Sequence, residues 1–125
     1  MFITRRTFAV STAALGACAT TQPEAPMYGL IGKIRAKPGQ REALAAILME
    51  STSGGMPGCK AYIVANDATD TDAIWITEVW DNADSHRASL QLPQVQAAIT
   101  RARPMIAGFD EHHDIVPLGG IGLTA

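Results

Sequence analysis

Two side chains that could transfer a proton lie close together in the sequence. Glu78 lies among apolar residues in the segment 74–80. Removing a carboxyl group from water raises its pKa. His86 follows eight residues later, and its imidazole has an ordinary pKa near neutrality. Either group could act as a general base. The alternatives are a surface or capping role for His86 and a structural hydrogen bond or ion pair for Glu78. The cations available for such a pair are Lys33, Arg35 and Lys60.

Metal binding and cysteine chemistry have weaker support. His112 and His113 are adjacent, and adjacent strand residues point to opposite faces, so the two cannot readily bind one ion. The spacings typical of zinc sites are absent, and the acidic loop 66–72 lacks the glycine and terminal glutamate of a calcium-binding loop. Cys59 has no local histidine partner for a nucleophilic role. We therefore expect no metal site and a small buried strand residue at Cys59.

The first 22 residues have the order of an export signal. Arginines at positions 5 and 6 precede a modest apolar stretch, and small residues surround Cys18. Positions 4–8 resemble the twin-arginine signal, and 15–18 resemble a bacterial lipobox in which Cys18 would be lipidated. We expect an exported protein of the periplasm or cell envelope, with simple cleavage as the alternative to lipidation. Membrane attachment would then run only through the lipid anchor.

Length and charge restrict the classes of function. The 125 residues fit one domain of roughly 100 residues with a short appendage. Lysine and arginine total 10 against 12 acidic residues, a net charge of -2, and no basic patch indicates a nucleic-acid partner. We divide the chain into an export signal (1–22), a linker (23–27), a domain (28–116) and a glycine-rich tail (117–125).

Strand and helix signals alternate along the domain. The predicted strands, rich in apolar and β-branched residues, are Tyr28–Arg35, Cys59–Ala65, Ala73–Asp81 and Phe109–Val116. The predicted helices, with apolar stripes at helical spacing, are Gln40–Glu50, Asn82–Gln91 and Pro93–Ile106. Pro104 should end or kink the last helix. The order βαββαβ is that of the α+β ferredoxin-like class, a four-stranded antiparallel sheet with helices on one face.

The alternation of side chains along the third strand decides which residues share a face. Glu78 and Trp80 share one face with the isoleucines at 74 and 76, and Trp75 lies on the other. Trp80 and Tyr62 are core residues by default and could instead line an aromatic ligand site. The face without helices carries too many apolar side chains to remain in water, so we expect a homodimer.

Three sequence segments resemble the antibiotic biosynthesis monooxygenase domain family. They are 56–62 (MPGCKAY), 77–81 (TEVWD) and 92–96 (LPQVQ), with His86 between the last two. The resemblance covers about 28–116 and implies a dimeric α+β barrel with a ligand cavity between sheet and helices in each subunit. Many relatives carry a second histidine three residues after the position of His86, where this chain has Ser89.

The resemblance implies oxidation of a quinol or polycyclic phenol by dioxygen without a cofactor. Dioxygen must then take its first electron from the substrate, which therefore has to become an electron-rich anion. A positioned base in an apolar cavity would suffice. Our hypothesis assigns His86 or Glu78 as the proton acceptor, with Tyr62, Trp80 and His112 orienting the aromatic ring.

Two other functions remain open at this point. One is a non-catalytic envelope module that binds an apolar ligand or serves in stress. The other is haem binding and degradation. The haem-degrading branch of the fold relies on an asparagine in the first strand, and residues 28–33 (YGLIGK) contain none.

Overall fold

The computed structural model describes residues 25–123. Within them, four strands form one antiparallel sheet: β1 (Tyr28–Ala36), β2 (Cys59–Asn66), β3 (Ala73–Trp80) and β4 (Ile106–Ile115). Their spatial order is β2-β3-β1-β4. This order, with helices after β1 and β3, confirms the α+β ferredoxin-like prediction. The predicted export signal and Cys18 lie outside the described residues.

Three helices lie between the strands: α1 (Arg41–Glu50), α2 (Ala83–Ser89) and α3 (Pro93–Ala102). The Asn82 side chain accepts a 2.8 Å hydrogen bond from the Ser85 backbone N–H, which caps α2. Pro93 occupies the first turn of α3, where its missing N–H has no cost. No helix of residues 25–123 is both long and apolar enough to cross a membrane.

The end of α3 differs from the prediction. Pro104 ends the helix as expected, because a 3₁₀ turn at Arg103–Met105 follows Ala102. The predicted continuation of the helix to Ile106 was wrong. Ile106 instead begins β4, three residues before the predicted start, and pairs with Ala36 of β1. On α3 itself, Ala98 is buried while Ile99 remains 37% exposed.

The hydrophobic core lies between the helices and one face of the sheet. Its buried apolar side chains are Ile34, Ala36, Leu44, Ile47, Ile74, Ile76, Ala98 and Ala102. Glu78 lies on the same face as Ile74 and Ile76, as the alternation predicts. The register places Glu78 opposite Tyr62 of β2 and Leu30 of β1.

Two ionic networks occupy the face without helices. The Trp75 indole donates a 2.7 Å hydrogen bond to Asp67, and Lys33 lies 5.5 Å from the centroid of the indole. Arg35 pairs with Asp70 and Asp110, each at 2.7 Å. Lys33 and Arg35 are therefore engaged away from Glu78, which explains why they do not form the ion pair considered from the sequence.

Candidate active site

A cavity of about 680 Å³ lies between the covered face of the sheet and the helices. Its lining is mostly apolar. The polar side chains that line it are Ser51, Tyr62, Glu78, His86, Ser89 and Arg103. This volume and this lining are typical of a site that binds a small organic molecule and orients it through a few polar groups. Three of the five residues predicted for catalysis and substrate binding, Tyr62, Glu78 and His86, lie together here.

Glu78 is the acidic residue of the cavity. Burial raises the pKa of its carboxyl group to about 7, because the charged form loses hydration that its surroundings replace only in part. The Trp80 indole and the more distant His112 oppose this rise in pKa. Within the described residues, no lysine or arginine forms a salt bridge with Glu78. At neutral pH the Glu78 carboxyl group is therefore present in both its protonated and its ionised form.

The buried charge of Glu78 is expected to make folding stability depend on pH. The pKa of Glu78 is about 7 in the folded protein and 4.5 as an ordinary value. Between these values only the folded state retains the proton, so the free energy of unfolding falls as pH rises and then levels off above pH 7. Glu78→Gln removes the cost of a buried charge at this position. The variant should therefore be more stable than wild type at pH 8 by about 2 to 3 kcal/mol.

Urea unfolding of both proteins at pH 5 and pH 8 measures this difference. The difference in free energy of unfolding between Glu78→Gln and wild type should be small at pH 5 and large at pH 8. Glu42 is exposed, so Glu42→Gln serves as the control and should have the stability of wild type at both pH values. A gap between Glu78→Gln and wild type that is equal at both pH values would show that Glu78 is ionised throughout.

Trp80 lies two residues after Glu78, on the same face of β3. Its side chain is fully buried, and its indole Nε1 has no hydrogen-bond partner among the described residues. The indole N–H favours the ionised form of Glu78 and thus lowers the pKa of that carboxyl group. Trp80 itself does not line the cavity. Its contacts are with the site residues Glu78 and His86.

His86 lies between two aromatic rings. The centroid of its imidazole is 5.0 Å from that of Tyr28 and 5.5 Å from that of Trp80, and the planes of His86 and Trp80 meet at 68°. Desolvation lowers the pKa of His86, an effect that the negative charge of Asp114 partly opposes. The imidazole is therefore neutral at pH 7 and can accept a proton.

Tyr62 retains its hydroxyl proton across the neutral pH range. Burial, and then the charge of Glu78, raises the pKa of this phenol above its ordinary value of 10. Tyr62 lies opposite Glu78 in the register of β2 and β3. Its O–H can therefore donate a hydrogen bond to a bound oxygen anion while Glu78 holds the proton that the anion released.

His112 lies on the covered face and outside the cavity lining. Its Nε2 is 3.1 Å from Asp114, which also accepts a 3.0 Å hydrogen bond from the Tyr28 hydroxyl. Tyr28 and Asp114 were not predicted as site residues. Tyr28 is the first residue of β1, and it reaches His86 because the register places it opposite Trp80, which cannot be derived from the sequence without the strand pairing.

Cys59 and the histidine pair do not form additional reactive sites. Burial raises the pKa of the half-buried Cys59 thiol, which disfavours the thiolate. His112 and His113 pair with consecutive residues of β1 and so point to opposite faces. In residues 25–123, no cluster of three or more metal-binding side chains is present.

A comparison with models of known protein families identifies the family of this chain. The model of the antibiotic biosynthesis monooxygenase family matches residues 27–101, more than half of the chain. The chain belongs to the antibiotic biosynthesis monooxygenase family. This confirms the resemblance found in the sequence segments around Cys59, Glu78 and Pro93. A search of the curated proteins found no match to this chain.

Several solved structures resemble the chain. A proposed antibiotic biosynthesis monooxygenase from Chloroflexus aurantiacus is 64% identical, with a TM-score of 0.76, covering 78% of this chain and 99% of its own. A second one from Caulobacter crescentus is 15% identical, with a TM-score of 0.69 and coverages of 77% and 93%. A Bacteroides thetaiotaomicron protein described as a possible oxidoreductase is 20% identical, with a TM-score of 0.65 and coverages of 73% and 97%. The last two show likeness of fold alone.

Proposed function

We propose that this family member is a monooxygenase that oxidises a quinol or phenol with dioxygen, using only its own side chains to activate the substrate. The observation that carries the proposal is the Glu78 carboxyl group, with a pKa of about 7, in a mostly apolar cavity. Such a group can remove a proton from a phenol at neutral pH. Family membership and the Chloroflexus aurantiacus structure support the reaction class.

The proposed reaction begins with transfer of a hydroxyl proton from the quinol to Glu78. Tyr62 donates a hydrogen bond to the resulting oxygen anion, and neutral His86 is placed to accept the second hydroxyl proton. The anion gives one electron to dioxygen, and the superoxide and semiquinone radicals combine through a new carbon–oxygen bond. The O–O bond of this hydroperoxide then breaks. The oxygenated ring carbon loses its hydrogen as a proton to a base of the site and becomes a carbonyl. The outer oxygen leaves as hydroxide and takes up a proton from the site to form water.

The apolar lining contributes by limiting water around the anion. Fewer water molecules stabilise the negative charge, so the anion remains a better electron donor to dioxygen. The residue after α2, Leu90, and the α3 side chains Val95, Ala98 and Ile99 contribute to this cover. Shape and polarity of the cavity thus fit an aromatic substrate with one polar edge.

Oxygen uptake by the purified chain tests the proposal. The assay uses a panel of hydroquinones and naphthols, a metal chelator and no added cofactor, and hydroxyquinone formation is followed by mass spectrometry. Uptake that requires the enzyme and gives one oxygen atom in the product supports the proposal. Ligand binding without uptake by any member would instead favour the non-catalytic binding module.

We also propose that two copies pack through the sheet faces that lack helices. Ile63 on β2 points to this face and is 55% exposed, and half-buried Ile31 and Trp75 share the face with it. An apolar side chain in the centre of such an interface contributes strongly to association. A second copy would remove these side chains from water.

Ile63→Lys is expected to weaken this dimer by about tenfold or more, because the interface would have to bury an unpaired ammonium group. Sedimentation equilibrium measures the dissociation constant. Met49 is also 55% exposed and lies on α1, so Met49→Lys is the matched control and should leave the dimer intact. Equal effects of the two substitutions, or a monomeric wild type, would reject the interface.

A further inference from the structure

The cavity is long relative to a single aromatic ring. Its walls come from all four strands, with Tyr62 on β2 and Phe109 on β4 at opposite sides of the sheet. Phe109 is level with Ile34 and Ile74, four residues along β3 from Glu78. With strands about 4.8 Å apart and a rise of about 3.4 Å per residue, the Cα atoms of Glu78 and Phe109 are about 17 Å apart.

The two ends of this cavity differ in polarity. Tyr62, Glu78 and His86 supply polar atoms at one end. The hydroxyl group of Ser51 beside them already donates a 2.7 Å hydrogen bond to the backbone oxygen of Leu48. The opposite end is formed by segment 106–109 (IAGF) of β4, which has no polar side chain. The hydroxyl group of Ser89 is already occupied, since it donates a 2.6 Å hydrogen bond to the backbone oxygen of His86. Apart from the exposed Arg103 on the rim, a ligand therefore meets hydrogen-bonding side chains only at the Glu78 end.

Apolar side chains also form the rim of the cavity. Leu90 is 41% exposed, Ile99 37% and Phe109 72%, and all three line the cavity. Arg103 is the charged residue near them, and its exposed position keeps the guanidinium in water. A ligand contained wholly inside would leave the three apolar side chains in water. A hydrocarbon chain passing between them would cover them, which is favourable.

We propose, on the basis of the proposed function, that the substrate is a quinol or phenol whose ring bears a hydrocarbon chain. The hydroxyl group binds at Glu78 and Tyr62, and the chain runs along the cavity and leaves between Ile99 and Phe109. The cavity thus selects an amphiphilic aromatic molecule over a compact fused-ring phenol.

Binding of 2-alkylhydroquinones in the absence of oxygen tests the substrate class. Titration calorimetry with the methyl, butyl, hexyl and octyl homologues should show affinity rising about two- to fourfold per methylene until the chain passes Phe109. A fused three-ring phenol should bind more weakly than the octyl homologue. Affinity that does not depend on chain length, or tighter binding of the fused-ring phenol, would overturn the proposal.

Phe109→Ser locates the chain in the cavity. It should lower the affinity for the octyl homologue by about tenfold more than that for the methyl homologue. Leu118→Ser is the matched control, because Leu118 is 92% exposed and lies outside the cavity; it should leave the octyl-to-methyl ratio unchanged. Circular dichroism confirms that both variants fold. An unchanged ratio in Phe109→Ser would show that the chain does not pass this residue.

Admitting air to the same complexes separates this inference from the proposed oxidation. Binding that depends on chain length, without oxygen uptake, would support the proposed ligand class and contradict the proposed monooxygenase activity. Oxygen uptake with affinities independent of chain length would keep the monooxygenase and reject the ligand class.

Discussion

Glu78→Gln is expected to lower kcat/KM for quinol-dependent oxygen uptake by about 10²- to 10⁴-fold, the range typical for loss of a positioned general base. The amide has nearly the same shape as the carboxyl group and cannot accept the hydroxyl proton of the substrate. Steady-state oxygen uptake measures the effect. Glu42→Gln, on the exposed first turn of α1, should retain wild-type activity and shows that removal of one carboxylate charge elsewhere has no effect.

The pH profile distinguishes Glu78 from His86 as the base. With Glu78 as the base, kcat/KM of the wild type rises with pH and reaches half of its plateau near pH 7, the pKa of this carboxyl group. With His86 as the base, the midpoint lies below pH 6.5, because desolvation lowers the pKa of this imidazole. In His86→Asn the midpoint near pH 7 should persist. A midpoint below pH 6.5 that disappears in His86→Asn would assign the role to His86.

Gly58→Ala is expected to lower the free energy of unfolding by about 2 to 5 kcal/mol, the sum of a backbone term and a packing term. Gly58 has φ +84°, a conformation that L-residues rarely adopt. A Cβ atom there would also lie 2.6 Å from the Ser85 side chain and 2.7 Å from Asp81. Because Ser85 precedes His86 on α2, activity should fall as well.

Gly55→Ala separates the backbone contribution to the loss of stability from the packing contribution. Gly55 has nearly the same φ, +82°, but a Cβ atom there would have no neighbour within 4 Å. Its expected loss is about 1 to 2 kcal/mol with normal activity. Urea unfolding and oxygen uptake of both variants measure these effects. Equal losses for the two glycines would show that contact with α2 contributes nothing at Gly58.

The sequence predicted the fold and the centre of the site because both depend on local patterns. Period-two alternation in β3 is enough to place Glu78 with Ile74 and Ile76 on the covered face. The order of elements then determines which face the helices cover. These two patterns were enough to predict that Tyr62 and His86 lie in the same cavity as Glu78.

The remaining site residues depend on strand register and on an irregularity in β4. Regular alternation would place Phe109 and His112 on opposite faces, because an odd number of positions separates them. A bulge at Asp110 breaks the alternation, so Phe109 pairs with Ile34 and His112 with Gly32, both on the covered face. The sequence shows no sign of this extra residue. It predicted His112 for the site and did not indicate Phe109.

The contact between Tyr28 and His86 places the point where the chain enters the domain beside the proposed site. Ten positions separate Cys18 from Tyr28, and ten extended residues span at most about 36 Å. A lipid on Cys18 would therefore act as a short tether. It would hold the cavity within about one bilayer thickness of the membrane surface, where amphiphilic molecules are concentrated.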